Sequence, residues 1–326
     1  MLYANTGVSK RCEVPEGAHT PPELADAVWI DLVDPTDGER SMAEKATGLR
    51  VPARADLVEI ETSSRLSTER GALYLSSPAH VLDADGVSQS TPLGFVLSGK
   101  VLMTVRYADL SVFAPFAERL AAQGARPGSV ATFLGLLEAI VDRLADVLEH
   151  IGAELDAISR RVFRPDVKGA RASTTDMQLR ATLRTIGRAG DRLSNLRDSL
   201  LGVQRIVQYT TETAAPWIPA EERPRLVTLL RDITSLAEYD TQLSNKVQFV
   251  LDATLGFISM EQNNSIKVLT VVSVVGVPPT LVASIYGMNF KGMPELQWEH
   301  GYLYGLSVIV ASAILPLIWF RKRGWI

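Results

Sequence analysis

Two long apolar runs lie close together near the C-terminal end, and they limit what this chain can fold into more than any other feature. The first, Ile266 to Tyr286, reads IKVLTVVSVVGVPPTLVASIY, with Lys267 as its one charge. That is about 20 residues, or roughly 30 Å of helix, which matches the hydrocarbon thickness of a bilayer. The second, Tyr302 to Phe320, reads YLYGLSVIVASAILPLIWF and carries no charge. Two buried core helices of a soluble domain are the plainer alternative. Two runs of spanning length joined by a short loop instead predict a membrane hairpin. Its first span covers about 266–286, its loop 287–301 and its second span about 302–320.

Basic residues orient this hairpin. Arg321-Lys322-Arg323 follow the second run, and Lys246 and Lys267 flank the start of the first. The loop holds Lys291 together with Glu295 and Glu299. The positive-inside rule then places both termini in the cytoplasm and the loop outside. Tyr302, Tyr304, Trp319 and Trp325 stand where interfacial aromatics belong. Lipid is therefore an expected partner. The N-terminus, MLYANTGVSKRCEVPEG, has no apolar signal-peptide core.

The rest of the 326 residues excludes several classes. With 33 Lys+Arg against 37 Asp+Glu the net charge is -4, so no basic field invites nucleic acid. One cysteine, Cys12, leaves no intramolecular disulfide to form. His19, His80, His150 and His300 are scattered without metal-ligand spacing. Phosphate-binding loops, zinc motifs and nucleophile elbows are absent, so nothing supports an enzyme or an organic cofactor.

The soluble part reads as α+β. AVWIDLVDP and GALYLSSPAHVL are short strands, and TPLGFVLSGKVLMTVRY is a hairpin around Ser98-Gly99-Lys100. A helix runs from roughly Asp37 to Gly48, and ARADLVEIETSSR fits helix or strand. From Gly128 long helices take over, the first with Ser129 as a cap candidate and another at about Asp176 to Thr211. No proline interrupts Arg225 to Val277, so the last soluble helix continues into the first span. Such a helix has about 60 residues, roughly 90 Å, and needs neighbours along its length, which points to a symmetric oligomer. The expected domains are an α/β unit at 1–127, long helices at 128–265 and a membrane domain at 266–326.

At helical spacing, Asn263, Ile266, Thr270, Ser273, Val277, Thr280 and Ser284 share one side of the first span, with Gly287-Met288-Asn289 at its end. Small polar residues of this kind serve as packing glue between helices or as the lining of a pore. Pro278 and Pro279 remove two backbone donors, freeing carbonyls near Val274 and Val275. Neither span holds a carboxylate, which argues against a proton-coupled carrier. Neutral oxygens from Asn263, Thr280 and Asn289, repeated around an axis, suit a cation that keeps its water. Magnesium is such an ion. Glu295 and Glu299 would gather cations at the mouth.

YGMNF, followed two residues later by MPEL, resembles the signature of the CorA family of magnesium/cobalt transporters. The likeness extends through MEQNNSIKVLTVVSVVGVPPTLVASIYGMNFKGMPELQWEHGY and RKRGWI to VWIDLVDPT, EIETSSR and FVLSGKVLMTVRY, essentially the whole chain. It implies a funnel-shaped homopentamer in the inner or plasma membrane, with a cytoplasmic α+β domain and a stalk helix that becomes the pore-lining span. It also implies an outer selectivity ring of Gly287, Met288 and Asn289, with Gly287 permitting the turn, and a polar ring at Thr280. Ile266, Leu269 and Val277 match the hydrophobic constriction, and Asn263 matches a polar ring at its cytoplasmic end. Asp252 matches a stalk carboxylate that helps bind regulatory magnesium, with Asp83 or Asp85 as its partner. Magnesium is then both cargo and regulator, with cobalt or nickel as further cargo. Two positions depart from the pattern: Val277 is smaller than the methionine of some members, and Lys291 replaces an acidic residue. A zinc or other transition-metal transporter is the rival within the same superfamily, although Met288 is intact and the span lacks His and Cys. A non-transporting membrane scaffold is the rival from another class.

Overall fold

The computed structural model describes residues 1–5, 12–14, 24, 26–59, 61, 65–83, 86–122, 127–163, 172–213, 217–288, 292–294 and 298–325. It divides into two units, residues 1–165 with 182–251 and residues 166–181 with 252–326.

The first unit is built on a seven-stranded sheet in the order β2-β1-β3-β7-β6-β5-β4. Its strands are β1 (Leu2–Asn5), β2 (Cys12–Val14), β3 (Trp29–Val33), β4 (Leu66–Glu69), β5 (Ala72–Leu82), β6 (Ser88–Leu97) and β7 (Leu102–Arg106). The predicted hairpin is β6–β7, and the two apolar stretches before it are β3 and β5. Only β3 and β7 pair in parallel, with Asp31 opposite Thr104. Strand alternation sends Ile30, Leu32, Val96, Met103 and Val105 into one buried cluster with Met42, Ala43 and Leu57 of two short helices. These are α1 (Asp37–Thr47) and α2 (Arg54–Val58). Thr36 and Glu39 close a capping box at the start of α1, and Gly48 ends it at φ 73°, a conformation that favours glycine. The ambiguous ARADLV stretch thus begins as helix.

The opposite face carries Trp29, Phe95 and the polar pair Asp31–Arg106. Trp29 packs on Phe113 and Phe116 of α3 (Phe113–Ala122), and Phe95 on Phe133 of α4 (Ser129–Phe163). The Ser129 hydroxyl donates to Ser98 O at 2.6 Å. Its bond goes to the β6–β7 turn, tying α4 to the sheet, where the sequence had suggested a cap.

Two longer helices follow, α5 (Ala172–Thr213) and α6 (Arg223–Tyr286). Gly202 of α5 rests on β5 so closely that a Cβ there would stand 2.1 Å from Ser77 Oγ. Arg192–Glu154 (3.3 Å), Arg197–Asp240 (2.7 Å) and Arg225–Glu138 (2.7 Å) then link α4, α5 and the soluble part of α6. Leu193, Leu196, Leu200, Leu229 and Ile233 are buried between these polar edges. As expected from its missing prolines, α6 runs unbroken for 64 residues and carries Pro278 and Pro279 inside it.

The second unit contains the end of α6 and α7 (Gly301–Lys322). Both are long and apolar enough to cross a membrane, and none of the apolar window of α6 is buried within the chain. A core helix of a soluble domain would be covered. The membrane reading follows.

Candidate ion pathway

On the membrane part of α6, the half-buried positions Val271, Val275, Pro278, Pro279, Val282 and Tyr286 recur at helical spacing along one face. Gly305 of α7 lies closest to this face at Tyr286, where an added Cβ would meet the ring at 3.9 Å. Lys267 sits over the Trp325 ring at 6.0 Å, and Arg323 over Trp319 at 5.2 Å, so basic and aromatic groups gather at the same end of the hairpin.

Asn263, Ile266, Leu269, Ser273, Val277, Thr280 and Ser284 are all exposed, and Thr270 is half-buried. Their face lies opposite the one turned toward α7, so the chain itself leaves this stripe uncovered.

The hydroxyls along the stripe have a definite hydrogen-bond polarity. Thr270 donates to Ile266 O, Thr280 to Gly276 O and Ser284 to Thr280 O, each at 2.8 Å. Their protons are therefore committed to the helix's own carbonyls, and their outward lone pairs can only accept. Water bound to a cation turns its hydrogens outward, so acceptors are what a hydrated cation requires of a wall.

At the end of α6, Gly287 N–H donates to Ala283 O at 2.9 Å and Met288 N–H to Ile285 O at 3.2 Å. Gly287 is not left-handed. An added Cβ would meet Ala283 O at 3.2 Å and Ser284 O at 3.5 Å, carbonyls of the helix's own last turn. Met288 and Glu299 are exposed. Asn289, Lys291 and Glu295 lie outside the described residues, as does Asp85.

The regulatory candidates have separate surroundings. Asp252 is exposed on α6. Asp83 accepts from Val87 N–H at 2.8 Å and Gln89 Nε2 at 2.9 Å, which closes the β5–β6 turn. Among the described residues no group of three or more His, Cys, Asp or Glu side chains could hold a metal.

Sequence reasoning did not single out the buried network of the first unit. Thr104 donates to Asp31 Oδ1 at 2.8 Å and receives Trp29 Nε1–H at 3.0 Å, while Arg106 Nη2 reaches Asp31 Oδ2 at 3.1 Å. A lone aspartate inside VWIDLV was its one visible trace.

A mixed α+β unit, a continuous helix leading out of it and a two-helix apolar hairpin define a two-span membrane protein with a large water-soluble portion. Residues 25–322 match the family described as CorA-like Mg2+ transporter protein. The chain is 33% identical over 305 residues to the magnesium transport protein CorA of Yersinia pseudotuberculosis, covering 93% of each. It is 32% identical over 305 residues to that of Haemophilus influenzae, covering 93% of this chain and 94% of the relative. The chain belongs to the CorA-like transporter family. The complete structure of the CorA magnesium transporter from Methanocaldococcus jannaschii has the same fold, with a TM-score of 0.77 at 20% identity over 100% of this chain and 99% of that one.

Proposed function

We propose that this chain takes up magnesium as a homopentameric channel, with α6 from each copy turned toward a common axis. Cobalt and nickel are secondary cargo. The observation that carries the reading is the stripe on α6, largely uncovered by the chain, on which Thr270, Thr280 and Ser284 already spend their hydroxyl protons on the helix. Acceptor oxygens exposed on a membrane helix are costly against lipid and useful against hydrated cations. Five copies around an axis satisfy them.

In this reading Gly287, Met288 and Asn289 form the outer selectivity ring. Asn263, Thr270, Ser273, Thr280 and Ser284 line the path, and Ile266, Leu269 and Val277 constrict it. Glu295 and Glu299 gather cations at the mouth. The basic residues around Lys267 and Arg321-Lys322-Arg323 favour the cytoplasmic side of the inner or plasma membrane, which puts both termini inside. Entry is then downhill, at roughly 2.3 kcal/mol per charge per 100 mV and twice that for a divalent ion. Asp252, with Asp83 or Asp85 of a neighbouring copy, binds regulatory magnesium and favours the closed state, since a ligand stabilises whichever state it binds better.

Metal competition for uptake, in cells lacking other magnesium routes, tests the cargo. Magnesium is expected to enter and zinc to leave its uptake unchanged. Zinc entry without magnesium entry would transfer the chain to the transition-metal branch.

A further inference from the structure

The first unit carries a partly open cavity of about 570 Å³ that the proposed ion pathway does not use, walled by β5, the loop after β7, α4 and α5. That volume lies within the range of small-molecule sites, about 300–1,000 Å³. His80 of β5, Arg143 of α4 and Arg192 of α5 line it. Nε2 of His80 and Nε of Arg192 are buried with no hydrogen-bond partner in the chain, although each such group ordinarily finds one. Leu110, Leu144 and Val203 supply an apolar wall.

The charges that shift the imidazole are the two guanidiniums. His80 is lowered to about 4, first by burial, then by Arg192 and Arg143. Of the other titratable groups lining the cavity, Asp109 accepts from Arg106 Nη1 at 3.2 Å, and its side chain is otherwise exposed. Asp146 and His150 stand on the exposed side of α4. One nitrogen of Arg192, Nη1, is occupied by Glu154 at 3.3 Å, while its Nε is buried without a partner.

We propose that this cavity binds a small water-soluble phosphate monoester. Its phosphoryl group takes hydrogen bonds from His80 Nε2, Arg192 and Arg143, and its organic part lies on Leu110, Leu144 and Val203. Donors arriving from three separate elements suit a tetrahedral group with several oxygens better than a planar carboxylate. The anion supplies the partners that two buried nitrogens lack and offsets the positive charge of the two guanidiniums beside the neutral imidazole.

Isothermal titration of the full chain in detergent, in magnesium-free buffer, tests this with phenyl phosphate and inorganic phosphate as probes. Saturable binding of phenyl phosphate is expected, tighter than that of inorganic phosphate. Arg143→Ala and His80→Gln should each weaken it at least about tenfold, the loss of one charge-assisted hydrogen bond. Arg143 is exposed, so its replacement leaves the fold intact even if His80→Gln does not fold. Absence of saturable binding, or wild-type affinity in Arg143→Ala, would overturn the proposal.

Discussion

Arg106 spends one guanidinium on Asp31, Ala108 O and Asp109, and lies over the Phe113 ring at 4.6 Å. Both members of the Asp31–Arg106 pair have side chains only 3% exposed. Removing one member of such a pair strands a buried charge, at a cost of about 3–5 kcal/mol, whereas replacing both with apolar groups is often neutral. Arg106→Met is therefore expected to lower the unfolding temperature of the full chain sharply, and Asp31→Leu/Arg106→Met to recover most of it. His80 makes a second prediction at this scale. Its folded pKa of about 4 lies below the ordinary imidazole value near 6.5, so the unfolded chain takes up the proton first. The contribution of neutral His80 is complete above about pH 6.5 and is lost as pH falls toward 4. Thermal unfolding followed across that window should show a steeper acid loss in the wild type than in His80→Gln.

Among the elements, α6 was the most legible in the sequence, because the absence of proline from Arg225 to Val277 leaves nothing to stop a helix. Its stripe was legible for a similar reason: helical spacing alone puts Thr270, Ser273, Thr280 and Ser284 on one side. What spacing does not carry is the direction of each hydroxyl proton; hydroxyls elsewhere on the helices make the same bond, so uptake is what separates a wall of acceptors from packing glue. Thr280→Val keeps the shape and removes the acceptor. It should cut magnesium uptake by at least about tenfold, the worth of one hydrogen bond near 1.4 kcal/mol, while Thr280→Ser retains flux. Equal uptake in Thr280→Val would return the stripe to a packing role. The sheet was less legible. Its strands follow alternation and turn residues, but the parallel β3–β7 pairing joins segments about 70 residues apart and depends on tertiary contact. Ser129 shows the same limit, since the sequence offers it as a cap candidate but carries no sign of its bond to the β6–β7 turn.

For the whole molecule, the sequence carried family membership and the two spans, since hydropathy and the Gly-Met-Asn signature are local properties. The His80 cavity was not visible, because its walls come from β5, the β7–α3 loop, α4 and α5, and only folding brings them together. The proposed assembly joins these scales: in it, copies of α6 would cover the acceptors left uncovered on one helix, and their common axis would supply a path with oxygens for hydrated magnesium. Magnesium flux into proteoliposomes, with wild type and Asn289→Ala compared at several internal magnesium levels, tests that claim most directly. Wild type is expected to conduct and to slow as internal magnesium rises, and Asn289→Ala to assemble as a pentamer without conducting. Undiminished magnesium flux through Asn289→Ala would contradict it.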